Sequence, residues 1–166
     1  MTKKILLGFS LVVSLLTMIN KVYAVDGRAI RKVSFDEFEP RLHLENDTIY
    51  VVNFWATWCA PCVREIPVFE TIQEQYKDQK VKVLLVSLDF PNQLESRVIP
   101  FVDRMGMKSE VVLLDDTDSN RWIPLVSEEW TGAIPATVIF ARGFRGFYEQ
   151  EFHLEELESI IKPLLN

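Results

Sequence analysis

Val51-Val52-Asn53-Phe54-Trp55-Ala56-Thr57-Trp58-Cys59-Ala60-Pro61-Cys62-Val63-Arg64-Glu65-Ile66-Pro67 is the stretch on which the reading of this chain turns. Its first part belongs to an apolar run from Ile49 to Trp55 that has the composition of a strand, and from Pro61 onward the pattern is that of a helix. At their junction lie Cys59, just ahead of the helix, and Cys62, in its first turn, the only cysteines in the chain. Two cysteines so spaced at the start of a helix are close enough to close a disulfide. The unpaired backbone N–H groups and the dipole of the helix start stabilise a thiolate there. The pair is therefore expected to be a thiol–disulfide redox centre.

Two other uses of the cysteines compete with that reading. A structural disulfide normally closes a longer loop, because the entropic gain from a cross-link shrinks with the loop it closes. Zinc needs four ligands, and His43 and His153, the only histidines, lack the paired spacing of zinc ribbons or fingers. No metal site and no cofactor beyond the Cys59–Cys62 disulfide itself is expected.

The chain has 166 residues, 48% hydrophobic and 25% charged, which suits one globular domain of ordinary size. Lys3 and Lys4 precede an apolar stretch from Ile5 to Ile19, and Val22-Tyr23-Ala24 offers small residues where a signal peptidase reads. Residues 1–24 are read as a secretory signal, leaving the protein periplasmic or otherwise extracytoplasmic. A retained membrane anchor is the rival, but Gly8, Ser10, Ser14 and Thr17 interrupt the stretch, which falls short of the roughly 20 apolar residues of a spanning helix. From residue 25 onward 15 basic residues face 24 acidic ones, a net charge of −9, which argues against nucleic acid as a partner.

Working outward, Ser34 and Glu37 form a capping-box signature for a short helix with Phe35, Phe38 and Leu42 on one side. It lies in an N-terminal extension over 25–48, ahead of a main domain over 49–166. Strand Ile49–Trp55, helix Pro61–Lys77 and strand Val81–Leu88 make a βαβ unit, with Pro67 expected to kink the helix. Asn92–Met105 reads as a helix interrupted at Pro100, and Glu110–Leu114 as a short parallel strand. Asp115–Trp130 shows no clear period and is read as a surface connection. Its acidic start lacks the glycine and terminal glutamate of an EF-hand loop. Trp122 and Trp130 are assigned either to the core or to the wall of a groove. Strand Ala136–Ala141, a turn at Arg142-Gly143-Phe144, strand Arg145–Phe152 and amphipathic helix Leu154–Leu165 close the chain.

The seventeen residues from Val51 to Pro67 resemble the active site of the thioredoxin superfamily, in particular its extracytoplasmic TlpA/ResA-like branch. Gly132-Ala133-Ile134-Pro135-Ala136-Thr137 is similar to the same family's cis-proline loop, and a weaker likeness covers most of residues 49–165. The implied fold is α/β: a thioredoxin fold, its mixed central sheet flanked by helices, with a helix–strand unit inserted at about 90–130 before the proline loop. The implied activity is disulfide exchange with extracytoplasmic clients, preferably as a reductase. Apocytochrome c is one possible client class, and a membrane thiol donor is expected upstream. A dithiol oxidase or isomerase, or a binding module in which the cysteines are incidental, remains open.

Cys59, at the helix start, is expected to be the nucleophile and Cys62, one turn deeper, the resolving thiol. Trp58, Ala60, Pro61, Ile134 and Pro135 are expected to contact substrate, Ile134 by strand-like pairing with a client chain. Cytoplasmic thioredoxins carry a buried acid where this chain has Asn53. By resemblance Glu65 substitutes for it as proton acceptor or tuner of Cys62, the alternative being a solvated surface charge.

Overall fold

The computed structural model describes residues 23–25 and 28–165. Seven strands form one mixed sheet: β1 (Tyr23–Val25), β2 (Arg28–Val33), β3 (Ile49–Trp55), β4 (Val81–Ser87), β5 (Glu110–Leu114), β6 (Ala136–Ala141) and β7 (Phe144–Tyr148), in the order β1-β2-β5-β4-β3-β6-β7. Strands β2, β5, β4 and β3 run parallel, while β6 and β7 are antiparallel additions on the far side of β3, and β1 folds back on β2.

The central strands are apolar on both faces because both are covered by helices. Alternate residues Val51, Trp55, Val83, Leu85, Val111 and Leu113 join one core cluster, packed by α2 (Ala60–Gln75), α3 (Ile99–Met105) and α5 (Leu154–Ile161). Their neighbours Val52, Phe54, Leu84, Val86, Val112 and Leu114 belong to a second cluster with α1 (Phe35–Phe38) and α4 (Ser119–Val126). The period of two along each strand thus divides the sequence between two cores.

The expected α/β fold is present, and some of its elements differ from the sequence reading. Residues expected to form an extension before the domain supply β2, which pairs with β5 from Arg31 opposite Val112 to Val33 opposite Leu114. The capping box at Ser34 and Glu37 is formed, with the Ser34 N–H donating to Glu37 Oε2 over 2.9 Å. Helix α2, expected over Pro61–Lys77, spans Ala60–Gln75 with Pro67 inside it. The segment around Pro100 is helical throughout, as a 3₁₀ turn, a π turn over Leu94–Val98 and then α3. Proline cannot donate to the preceding turn, and the wider π turn ahead of it accommodates the break, with the Ile99 N–H donating to the Leu94 carbonyl. Strand β5 is the short parallel strand expected at Glu110–Leu114, and it lies inside the sheet between β2 and β4.

The largest departure is α4, in a stretch read as a surface connection without a clear period. Asp118 caps it by accepting from the Arg121 N–H, and Arg121 pairs with both Asp36 and Asp116 over 2.7 Å, tying α4 to α1. The acidic run is therefore engaged in a helix cap and a fork of ion pairs. Trp122 and Trp130, 4% and 5% exposed, stack with Phe35 and Phe54 at centroid distances of 5.7 and 4.8 Å and lie 5.5 Å apart. Trp122→Ala should cost about 3–5 kcal/mol in chemical denaturation, from lost aromatic burial and the cavity left behind. A cost below about 1 kcal/mol would show that Trp122 is not part of this core.

The hairpin between β6 and β7 turns on Arg142 and Gly143 alone, with Gly143 at φ 77°, a conformation natural to glycine at this position. Helix α5 ends at Ile161 and passes into a 3₁₀ turn, Lys162–Leu165, that contains Pro163. No helix among the described residues is long and apolar enough to cross a membrane. The expected leader lies outside the described residues up to residue 22, and Tyr23 and Ala24 of its expected cleavage site form part of β1.

Candidate active site

Strand β3 ends at Trp55, and Ala56, Thr57 and Trp58 turn the chain into α2. Cys59 is the N-cap of α2, its sulfur accepting from the Cys62 N–H over 3.3 Å, and Pro61 occupies the first turn, where its missing N–H leaves no bond unmade. Cys59 and Cys62 are joined in a disulfide, with Cα atoms 5.3 Å apart. Cys59 is 6% exposed and Cys62 is fully buried, so attack from outside reaches Cys59 first.

The Ile134–Pro135 peptide bond is cis, and the Ile134 carbonyl oxygen lies 3.7 Å from Cys59 Sγ. The loop leading to it is pinned from two sides. The Trp130 indole N–H donates to the Ala133 carbonyl over 2.7 Å, and the Thr131 N–H donates to Glu149 Oε2 over 2.8 Å. Trp130 is therefore both a core residue and a support of the proline loop. Trp58 is 57% exposed beside the cysteines, Ala60 is exposed, and Pro61 and Ile134 are half-buried, whereas Pro135, also expected to contact substrate, is buried.

Glu65 is 1% exposed, which rules out the solvated-charge alternative. One of its oxygens accepts from Asn53 Nδ2 over 2.8 Å and the other from the Phe152 N–H over 2.9 Å. Burial pushes its carboxyl up to about 7, against the opposing pull of the hydrogen bonds from Phe152 and Asn53 and with a further push from the neighbouring Glu151. Asn53, itself fully buried, also donates to Thr137 Oγ1 over 3.0 Å, while its own carbonyl oxygen has no hydrogen-bond partner among the described residues. The buried carboxyl of the site thus comes from α2, with Asn53 of β3 as its donor. Thr137 follows the cis proline by two residues, so this buried cluster joins β3, α2 and the proline strand.

Asp89 was not anticipated from the sequence. Buried beyond the end of β4, it accepts from the Thr57 N–H over 2.9 Å, from the Thr57 hydroxyl, and from Ser87 Oγ over 2.9 Å, fixing the turn that carries Trp58 and Cys59. The available signal was topological: parallel neighbours β3 and β4 bring their C-terminal ends to the same edge, so polar residues after one meet the loop after the other. Outside the turn, Arg64 makes a two-pronged pair with Glu151 at 2.9 and 2.6 Å, closing the first turn of α2 onto the segment before α5. Among the described residues no three His, Cys, Asp or Glu side chains converge where they could hold a metal ion.

The chain resembles known proteins to differing extents. The chain is 39% identical over 127 residues to the thiol-disulfide oxidoreductase ResA of Halalkalibacterium halodurans, a match covering 72% of this chain and 65% of that protein, just under two thirds of its length. A thiol:disulfide interchange protein of the thioredoxin family from Chlorobium tepidum superimposes with a TM-score of 0.62 at 19% identity, over 86% of this chain and 92% of the other. A secreted thiol-disulfide isomerase from Corynebacterium glutamicum gives 0.61 at 18% identity, over 72% of each chain. At these identities the two structures establish the fold alone. The sequence model of the AhpC/TSA family matches residues 24–143, a span that takes in β3, the cysteine turn, the Asp89 support and the cis proline, and the chain accordingly belongs to that thioredoxin-like family.

Proposed function

We propose that the protein is an extracytoplasmic thiol–disulfide oxidoreductase that reduces disulfides in client polypeptides. The observation that carries this reading is the bonded Cys59–Cys62 pair at the start of α2, with the more accessible sulfur 3.7 Å from the Ile134 carbonyl of the cis-proline loop. Location outside the cytoplasm is supported by the charged and apolar pattern of residues 3–24.

In the reduced protein the Cys59 thiolate attacks one sulfur of a client disulfide, forming a mixed disulfide and releasing the other client sulfur as a thiolate. Cys62 then loses its proton and attacks Cys59 Sγ, so that the Cys59–Cys62 bond forms and the second client thiolate leaves. Two electrons pass to the client, and two protons complete its thiols. An upstream dithiol donor restores the pair by the same two exchanges in reverse. The amide donors at the start of α2 favour thiolate at Cys59. Glu65, one turn beyond Cys62 and buried with a carboxyl near 7, takes the Cys62 proton at neutral pH. A client strand running past Cys59 lies between the exposed Trp58 ring and the Ile134 backbone.

The direction is tested by equilibrating the protein with defined thiol–disulfide buffers. A reductase should give a reduction potential near the thioredoxin end, about −270 mV. A value near about −120 mV would make the protein a disulfide donor and overturn the preferred direction.

A further inference from the structure

Beside the cysteine turn lies an open cleft of about 420 Å³. Thr57 and Val63, which flank the two cysteines in sequence, form one side, and Arg97, Pro100, Phe101 and Arg104 form the other. Phe101 anchors the far wall, being 5% exposed with its ring 5.2 Å from that of Trp55 in β3, so the cleft is fixed relative to the redox turn. The Arg104 guanidinium sits 5.3 Å above the Phe101 ring.

The cleft carries two cations. Arg41, Arg64, Arg121 and Arg142 each pair with a carboxylate, whereas Arg97 and Arg104 are exposed and have no ion-pair partner among the described residues. Glu95 and Asp103, on the same helical segment, do not line the cleft. Two uncompensated cations therefore face the approach to the redox centre of a chain whose net charge from residue 25 is −9. Trp58, next to Cys59 in sequence, is 57% exposed, and Phe90, next to the Asp89 that holds Thr57, is 65% exposed.

We propose that this cleft docks an acidic stretch of the client polypeptide that flanks the cysteine being exchanged. The proposal rests on the oxidoreductase reading and adds a selection rule to it: clients are those with carboxylates in the stretch that flanks the reactive cysteine. With the client cysteine bonded to Cys59, the chain on one side pairs along Ile134. On the other side it crosses Thr57 and Val63 into the cleft, where its carboxylates meet Arg97 and Arg104 and its apolar atoms rest on Pro100. Electrostatic attraction at this point raises the rate of productive encounter and is screened by salt.

The test uses the reduced protein and three otherwise identical peptides, each with one cysteine capped as a neutral mixed disulfide and flanked by Glu, Gln or Lys residues. Rates are normalised to exchange with bis(2-hydroxyethyl) disulfide, which is neutral and too small to span the cleft. At about 0.01 M ionic strength the Glu peptide should react about tenfold faster than the Gln peptide, and near 1 M salt the difference should vanish. R97Q/R104Q should abolish the preference and R97E/R104E should transfer it to the Lys peptide, a gain that a misfolded variant would not show. Equal rates for the three peptides, or a preference that survives R97Q/R104Q, would overturn the docking proposal while leaving the oxidoreductase reading intact. Glutathione disulfide accelerated as strongly as the Glu peptide would identify a site for small anionic thiols and equally overturn it. Failure of the wild-type protein to exchange with bis(2-hydroxyethyl) disulfide would instead remove the oxidoreductase reading beneath.

Discussion

Cys59→Ser should lower the rate of disulfide exchange by about 10³-fold or more, and Cys62→Ala should leave a protein that reacts once and stops as a stable mixed disulfide. The asymmetry follows from geometry: Cys59 is the N-cap of α2 and 6% exposed, whereas Cys62 is fully buried one turn further on. A serine hydroxyl at position 59 does not ionise near neutral pH, so the attacking species disappears. In Cys62→Ala the attacking species remains, but nothing nearby can break the Cys59–client bond, and the complex is recoverable by mass spectrometry and released by added thiol. Loss of folding should not confuse the result. The 59–62 link closes a short loop, so removing it should cost at most about 2 kcal/mol in the loop-entropy description. Should Cys62→Ala turn over repeatedly, or Cys59→Ser be trapped by clients through Cys62, the assignment of the two sulfurs would be wrong. A protein that holds polypeptides equally well with serine at position 59 would be a binding module and not an enzyme.

Glu65→Gln should change both how stability depends on pH and how fast the second exchange proceeds. An unfolded glutamate titrates near 4.5, but burial raises Glu65 to about 7 in the folded chain. Between those values the folded state holds a proton that the unfolded state has lost, so stability should fall as pH rises through the window from about 4.5 to about 7. Below it no penalty applies, and above it the full penalty is about 3 kcal/mol. The neutral amide carries no such penalty and can still accept from the Phe152 N–H. Asn53 can turn its unpartnered carbonyl oxygen toward the amide donor that replaces Glu65 Oε1. The variant should therefore be more stable than the wild type by about 2–3 kcal/mol at pH 8 and nearly equal to it at pH 4, in denaturant titrations at each pH. It should also lose any inflection near pH 7 in the single-turnover rate at which a mixed disulfide on Cys59 is resolved. A wild-type stability curve flat from pH 5 to 8, or a variant with an unchanged rate profile, would show that this carboxyl does not titrate where its burial places it.

The parts of the molecule legible in its sequence are those specified by local signals. Strand β3, helix α2 and strand β4 announce themselves through long apolar runs and a proline suited to a first turn, and the cysteine pair sits at their junction. Helix α4 escapes notice because its cap, Asp118, stands in a run of turn-formers and Pro124 interrupts its eight residues. Only packing of Trp122 and Val126 against Phe35, Phe54 and β5 makes a helix the better solution. Strand β2 is similar: Arg-Ala-Ile-Arg-Lys-Val carries little apolar pattern, and backbone pairing to residues some eighty positions later holds it in the sheet. The burial of Glu65 was partly readable, since it shares the inward stripe of α2 with Cys62, Phe69 and Ile72 at helical spacing. What the stripe does not reveal is the donor set, because Asn53 and the Phe152 amide come from different elements. Asp89 and the arginine-lined cleft are products of topology, each made where chain ends far apart in sequence meet.

Strand β3 lies between parallel β4 and antiparallel β6, with Phe54 opposite Ala136. The exit of one strand and the entrance of the other are therefore the same place in space, and the sulfur and the carbonyl that faces it are gauged against each other by a single strand pairing. Growth or shrinkage of the exposed connections between them, such as the surface around α3, leaves that gauge unchanged, so those connections can diversify toward new clients while the cysteine turn, Glu65, β4, Asp89 and Trp130 stay fixed. A slip of one residue in β6 would turn every side chain of that strand to the opposite face and carry the proline away from the cysteines at once. The architecture separates what can be varied from what must be kept, and places almost all of the chain's room for novelty between two fixed points.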